Sequence, residues 1–175
     1  MNKDTNTKNP FDGKEQKDSS QVISIEVEDQ PVVLTRISAL FARRGFNIKS
    51  LSVAHTHLPG LSRFTIVTSG NNKVLEQIRK QCQKLIHVLR TQFLNPENSV
   101  LREFTIVKIE RDLQKLPHLH HLVDFYGGRL LDLSENSIIV EFSGSEEKID
   151  QIYQELQSLK VLESIRTGKV GMKRG

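Results

Sequence analysis

The sequence predicts an α+β protein made of two consecutive βαββαβ units. Apolar and polar residues alternate from Val22 to Glu28, which is typical of a half-buried strand, and an apolar stripe at helical spacing follows. The same succession of patterns begins again near Phe104, about 82 residues further along the chain. In a chain of 175 residues, two units of roughly 70 residues each are a better division than one large domain.

The first unit covers residues 21–94. Its first strand places Ile23, Ile25 and Val27 on one face. The segment from Asp29 to Pro31 predicts a helix start, because proline suits the first helical position, and Gly45 predicts the end of that helix. The patterns that follow predict two strands joined by a turn, a second amphipathic helix and a fourth strand, at residues 47–54, 61–68, 74–85 and 86–94.

A polar segment with a proline, residues 95–102, predicts a linker before the second unit at residues 103–175. Four strands are predicted at residues 103–110, 129–133, 137–142 and 161–167, with helices at 113–126 and 146–159. The order in both units is that of ferredoxin-like folds. Units of this size have small cores, so we expect dimerisation or pairing at the sheet edges.

Composition excludes several classes of protein. No apolar run approaches the roughly 18–20 residues that span a bilayer, so we expect a soluble chain without a membrane partner. The single cysteine, Cys82, excludes an internal disulfide framework and a cysteine-based zinc site. Residues 1–20 contain few apolar groups and predict a disordered tail that is neither a signal peptide nor a typical transit peptide. The expected compartment is the cytoplasm, with a plastid as the alternative.

The net charge of +4 is concentrated in the first unit. Residues 21–94 hold ten Lys or Arg against four acids, whereas residues 95–175 hold eleven against thirteen. A basic surface can meet phosphate, but an acidic partner protein suits it equally well. No motif with interleaved aromatic residues accompanies the charge, so we predict no nucleic-acid partner.

No set of residues predicts catalysis or metal binding. His55 and His57 lie two positions apart and three more histidines fall within residues 118–121, but no carboxylate or cysteine pattern completes a ligand set, so these are interpreted as surface histidines. Cys82 shares the apolar stripe of its helix and is predicted to be buried. Phosphate-binding loops, nucleophile elbows and dinucleotide motifs are missing. The residues therefore indicate a binding or regulatory protein with no catalytic residue and no metal site.

The first strand-to-helix turn is the candidate binding site. Backbone N–H groups at a helix start attract a carboxylate, and Asp29 beside them is suited to an ammonium group. Together these groups would hold a free amino acid. The alternative interpretation is that Asp29 only caps the helix.

Residues 36–53, with the sequence RISALFARRGFNIKSLSV, closely resemble the small, regulatory subunit of acetolactate synthase (acetohydroxyacid synthase). The resemblance continues through residues 61–66, 73–78, 102–109 and 165–175, and covers about residues 22–175. The phrase Phe-x-Arg-Arg-Gly-Phe-Asn-Ile-x-Ser-Leu within the first run is specific to this family and not merely to its domain class.

This resemblance implies an N-terminal ACT domain at residues 21–94 and a C-terminal ACT-like domain at 103–175. It implies a homodimer that binds the catalytic (large) subunit, activates it and carries feedback by valine or another branched-chain amino acid. Thiamine diphosphate, Mg²⁺ and FAD are expected on the catalytic subunit and no cofactor on this chain. Effector-binding positions carried over from the family are Asp29, Gln30, Pro31, Val32, Val33 and Asn47.

The chain departs from the family pattern Glu-Asn-x-x-Gly-Ala/Val-Leu at this turn, where it has Asp29 for the asparagine and Val32 for the glycine. A valine obstructs the close approach of a ligand to the backbone, and Pro31 removes one N–H donor. We therefore predict weakened or altered valine feedback with activation retained. The alternative function is a stand-alone ACT-type amino-acid sensor, which would not need the similarity of residues 103–175.

Overall fold

The computed structural model describes residues 20–175, so the predicted tail lies outside the described residues except for Ser20, which begins the first strand. The first unit has the predicted order of elements. They are β1 (Ser20–Glu28), α1 (Pro31–Arg43), β2 (Ile48–His55), β3 (Leu61–Ser69), α2 (Asn72–Cys82) and β4 (Val88–Leu94). Its strands form one antiparallel sheet in the order β2-β3-β1-β4.

The second unit repeats this arrangement. Its elements are β5 (Ser99–Glu110), α3 (Leu116–Tyr126), β6 (Arg129–Leu133), β7 (Ser137–Gly144), α4 (Glu146–Leu156) and β8 (Val161–Arg166). The order β6-β7-β5-β8 is the counterpart of the order in the first sheet. Two α+β units of the ferredoxin-like type, as predicted, therefore follow each other along the chain.

Each unit has its own core between one face of its sheet and its two helices. In the first unit Ile25 of β1 lies opposite Phe64 of β3, and both belong to one core cluster with Ile37 of α1. In the second unit Val107 of β5 lies opposite Val140 of β7 in a separate cluster. Alternation of apolar and polar residues puts the apolar residues of each strand on one face of its sheet. Helical spacing does the same for each helix, so these two faces pack together as the core.

A short strand near the end of the chain, β9 (Val170–Lys173), was not predicted. It pairs with the first four residues of β5, which fall inside the segment predicted as a linker. Only residues 95–98 therefore form an irregular connection. The resulting β5–β9 ribbon covers part of the helix-free face of the first sheet, where Leu101 packs on Val22, Val67 and Leu94.

Other predicted boundaries shift by a few residues. The helix predicted from residue 113 begins at Leu116, because Asp112 first forms a turn in which its side chain accepts a hydrogen bond from the backbone of Gln114. The strand predicted from residue 86 begins at Val88, after His87 in a left-handed conformation. Among residues 20–175, no helix is both long and apolar enough to cross a membrane.

Candidate functional site

The predicted turn between β1 and α1 lies at one end of the first sheet. Pro31 is the first residue of α1, as predicted, but the N-cap is Gln30 and no side chain caps the helix. The interpretation of Asp29 as a helix cap is therefore wrong. The backbone of Asp29 donates to the carbonyl of Gly60 at 2.8 Å, which joins this turn to the connection between β2 and β3.

The Asp29 carboxylate contacts two side chains from the neighbouring strands. Its Oδ1 accepts a hydrogen bond from Ser62 Oγ at 3.1 Å, and its Oδ2 lies 3.5 Å from His55 Nδ1. Ser62 Oγ also lies 3.3 Å from the same ring nitrogen. Ser62 is buried and His55 is exposed, so the Asp29 carboxylate contacts the protein on one side and is about half exposed to solvent on the other. We call Asp29, His55 and Ser62 the turn cluster.

The helix start offers few free donors for an anion. Pro31 has no N–H, and the N–H of Val33 donates to Gln30 O at 3.1 Å. The side chain of Val33 is buried in the core of the first unit. Val32 lies next to it at the start of the helix, and its branched side chain is 40% exposed.

Asn47 is far from the other predicted effector residues within one chain. It precedes β2, whereas the turn cluster lies where β2 ends, at His55. Seven residue steps of strand correspond to about 23 Å. The backbone carbonyl of Asn47 accepts a hydrogen bond from Thr68 Oγ1 at 2.9 Å, which fixes Asn47 at the opposite end of the strands. One chain alone therefore does not bring Asn47 and Asp29 together.

A second acid–histidine contact adjoins the turn cluster. Glu28 Oε2 lies 2.6 Å from His87 Nδ1, and the backbone N–H of Glu28 donates to the carbonyl of His87 at 2.9 Å. His87 has a φ of 74°, a left-handed conformation that is uncommon for a residue with a side chain. These two contacts stabilise that conformation and join the turn to the start of β4.

The histidines of α3 and Cys82 of α2 are the remaining candidates from the sequence. Among residues 20–175, no group of three or more His, Cys, Asp or Glu side chains is placed to hold a metal ion. His118 lies on α3, where its Nε2 is 3.1 Å from Ser158 Oγ. Cys82 is buried, as predicted, and burial raises its thiol pKa to about 11. Such a thiol is neutral and unreactive at physiological pH.

A cleft of about 630 Å³ lies between the helix-free face of the first sheet and the β5–β9 ribbon. Arg63 and Thr65 line it on the sheet side, and Arg102 and Met172 line it on the ribbon side. His55 belongs both to this lining and to the turn cluster. The turn therefore borders a space that both units enclose.

Sequence reasoning missed the contributions of His55, Ser62 and His87 to the turn. His55 was recognised only as one of a pair of histidines two positions apart. The signal that could have found it is the strand order, because pairing β2 with β3 puts His55 opposite Ser62 at the end where β1 stops. Register of this kind depends on long-range pairing and cannot be read from local periodicity.

Comparisons with known proteins agree across both units. The family described as "AHAS small subunit-like ACT domain" matches residues 23–90, and the family described as "Small subunit of acetolactate synthase" matches residues 102–175. The chain is 38% identical over 162 residues to the "Probable acetolactate synthase small subunit" of Methanothermobacter thermautotrophicus, covering 92% of this chain and 96% of that protein.

Two further relatives extend this similarity. The acetolactate synthase small subunit of Mycolicibacterium smegmatis is 37% identical over 156 residues, which cover 89% of this chain and 92% of the relative. The crystal structure of the acetolactate synthase small subunit from Thermotoga maritima superposes with a TM-score of 0.83 at 36% identity, over 90% of this chain and 98% of that one.

Proposed function

The chain belongs to the family of acetolactate synthase small subunits, and from that membership we propose that it is a non-catalytic regulatory subunit that binds and activates a separate catalytic subunit. The observation that carries the proposal is that the similarity runs through both units and the ribbon between them. A stand-alone ACT-type amino-acid sensor would need only the first unit. Thiamine diphosphate, Mg²⁺ and FAD would bind to the catalytic subunit.

The exposed edge strand β2 supports a homodimer. This strand is at the edge of the first sheet, and its Leu51 and Val53 side chains are exposed. An unpaired edge with apolar side chains is a template for another strand. A two-fold axis would pair the two β2 strands antiparallel and bring the Asn47 end of one copy to the end of the sheet where the other has Asp29. An effector site that uses both residues therefore requires two chains.

The details of the turn support weakened feedback by valine or another branched-chain amino acid. The Asp29 carboxylate is engaged by Ser62 and His55, Pro31 supplies no N–H, and Val32 projects from the helix start. Each lost hydrogen bond to a ligand costs about 1 kcal/mol, and steric exclusion adds to that cost. Activation does not depend on these groups in the proposed arrangement, because it requires only that the folded subunit contact its catalytic partner.

Reconstitution tests the proposal. The full chain is co-expressed with the acetolactate synthase catalytic subunit of the same organism, purified through a tag on the catalytic subunit, and assayed for acetolactate formation from pyruvate. We expect co-purification and a higher rate than that of the catalytic subunit alone. The matched control adds an unrelated protein of similar size and charge. A complex that forms without a rise in rate, or no complex at all, would contradict the regulatory role.

A further inference from the structure

The second unit repeats the backbone connections of the first unit's turn. In both units the last residue of the central strand (β1 or β5) donates a backbone hydrogen bond to the residue just before the last strand (β4 or β8). The residue after it donates one to the connection between the second and third strands (β2–β3 or β6–β7). The donors and acceptors are Glu28 to His87 (2.9 Å), Asp29 to Gly60 (2.8 Å), Glu110 to Lys160 (2.9 Å) and Arg111 to Asn136 (3.0 Å). Arg111 is therefore the structural counterpart of Asp29.

The side chains at the first of these positions are also alike. Glu28 pairs with His87 at 2.6 Å, and Glu110 pairs with Lys160 Nζ at 2.7 Å. At the second position the charge is reversed, because a guanidinium replaces a carboxylate. Asp29 in the first turn is suited to a cationic group of a ligand. Arg111 in the second turn is suited to an anionic group instead.

A small cavity of about 120 Å³ lies beside Arg111, between α3 and strands β6 and β7. Its walls include Leu119 and Val123 of α3 and Ile138 and Val140 of β7. An apolar protein cavity of about 150 Å³ binds a molecule of the size of benzene, so this space holds a somewhat smaller group. The space therefore suits a short, branched apolar chain and is too small for a nucleotide or a large aromatic group.

The guanidinium beside this cavity is incompletely hydrogen-bonded. Arg111 Nη1 donates to the carbonyl of Ser134 at 3.2 Å, while Nε is buried without a hydrogen-bond partner among the described residues. A buried donor without a partner costs free energy. The planar guanidinium of Arg111, which lines the cavity, is suited to binding a carboxylate through two parallel hydrogen bonds.

None of the nine described residues that line the cavity is acidic, and His120 adds a second basic group. An amino acid would bring an ammonium group for which the lining has no carboxylate. We propose that this cavity binds a short branched-chain carboxylate that lacks an ammonium group, with Arg111 holding the carboxylate and the wall of α3 and β7 holding the alkyl chain. This site lies in the second unit and is independent of the turn cluster of the first.

Binding of isovalerate to the full chain tests the proposal. Titration followed by methyl resonances of the leucine, isoleucine and valine side chains should show saturable, millimolar or tighter binding, with the largest shifts at Leu119, Val123, Ile138 and Val140. Isovaleramide has the same alkyl chain without the negative charge, and valine adds an ammonium group to a branched-chain carboxylate. Acetate has a shorter alkyl chain than isovalerate, and octanoate has a longer one. We expect each of them to bind at least about tenfold more weakly than isovalerate, a difference of about 1.4 kcal/mol.

Two variants and one control locate the site. Arg111→Gln should weaken isovalerate binding at least about tenfold by removing the charge, and Val123→Phe should abolish it by filling the cavity. Arg129→Gln is the matched control, because Arg129 is an exposed arginine of β6 that pairs with Glu141 and does not line the cavity. Should Arg111→Gln fail to fold, Val123→Phe decides the question.

Several results would overturn the inference. They are the absence of saturable binding by isovalerate, equal binding of valine or isovaleramide, and isovalerate binding that survives both Arg111→Gln and Val123→Phe. Methyl shifts confined to the first unit would also overturn it, since they would place the ligand elsewhere. None of these outcomes bears on activation of a catalytic subunit, so this test and the reconstitution can fail separately.

Discussion

Arg166 Nε lies 2.5 Å from Glu103 Oε2 in an ion pair that joins β8 to β5. The Glu103 side chain is only 4% exposed and that of Arg166 is 33% exposed, so the carboxylate is withdrawn from water while the guanidinium is partly solvated. Arg166 also donates Nη1 to Asp150 at 2.7 Å, which ties the sheet to α4. Burial alone would lower the pKa of Arg166, but the hydrogen bonds to Asp150 and Glu103 outweigh it and raise the pKa overall.

Removing Arg166 should destabilise the second unit strongly. Arg166→Gln leaves the Glu103 carboxylate buried without its partner, which costs about 3–5 kcal/mol of unfolding free energy. Urea denaturation measures this loss. The double substitution Arg166→Gln with Glu103→Gln should recover most of it, because no uncompensated charge remains. A loss no greater than that of Arg129→Gln, an exposed arginine on the same sheet, would contradict the prediction.

Leu101 should stabilise the contact between the two units. It packs on Val22, Val67 and Leu94, all of them buried on the helix-free face of the first sheet. Because Leu101 is only partly buried, Leu101→Ala should lower the unfolding free energy by about 1–2 kcal/mol, less than a fully buried leucine would. Leu162→Ala, at an exposed position of β8, should cost under about 0.5 kcal/mol in the same urea titration. Equal losses would show that Leu101 has no special role.

Restoring glycine at position 32 should strengthen the response to valine. Val32→Gly opens the helix start to a ligand, and a regained contact worth about 1 kcal/mol would lower the valine concentration for half-inhibition roughly five- to tenfold. The assay is acetolactate formation by the reconstituted complex. Leu34→Ala, at a similarly exposed position of α1, should leave the response unchanged. Micromolar valine affinity of the unaltered chain, measured by calorimetric titration, would contradict the proposed weakening.

Cys82 should resist thiol reagents in the folded protein. Burial raises its pKa to about 11, so at about pH 8 only on the order of one thiol in a thousand is ionised. We expect labelling by a disulfide reagent to be slow in buffer and fast in urea. The thiol of the unfolded chain ionises near pH 9, whereas that of the folded chain keeps its proton up to about pH 11. The free energy of unfolding therefore falls as the pH rises from about 9 to 11. Labelling at equal rates in buffer and in urea would contradict the burial.

The order of β1–β8 and α1–α4 was predictable because each of these elements has a local pattern. Alternation in β1 and the stripe of α1 required no knowledge of the rest of the chain. Strand β9 lacked such a pattern, since it has four residues and includes Gly171. A side chain at Gly171 would bring its Cβ into collision with the carbonyl oxygen of Val100, so the glycine permits close approach within the ribbon. That requirement arises only after the two strands pair.

The candidate site was predictable in position but not in its contacts. The turn follows from the end of β1 and from Pro31, both of which are local signals. The partners of Asp29 come from β2 and β3, and the cavity beside Arg111 depends on how α3 packs on its sheet. These contacts join residues that are distant along the chain. They depend on strand order and helix packing, which cannot be read from local composition or residue spacing.

The β5–β9 ribbon has a consequence for synthesis on the ribosome. The first unit is complete once residue 94 has emerged, but β9, which forms half of the cover on its helix-free face, follows some eighty residues later. At about 5–20 residues per second, the nascent first sheet waits roughly 4–16 s with part of that face open to water. During this interval Leu101 of β5, which packs on Val22, Val67 and Leu94, lacks the strand that pairs with it in the finished chain. The nascent chain therefore passes through a period in which a chaperone or a second nascent copy could bind at this face.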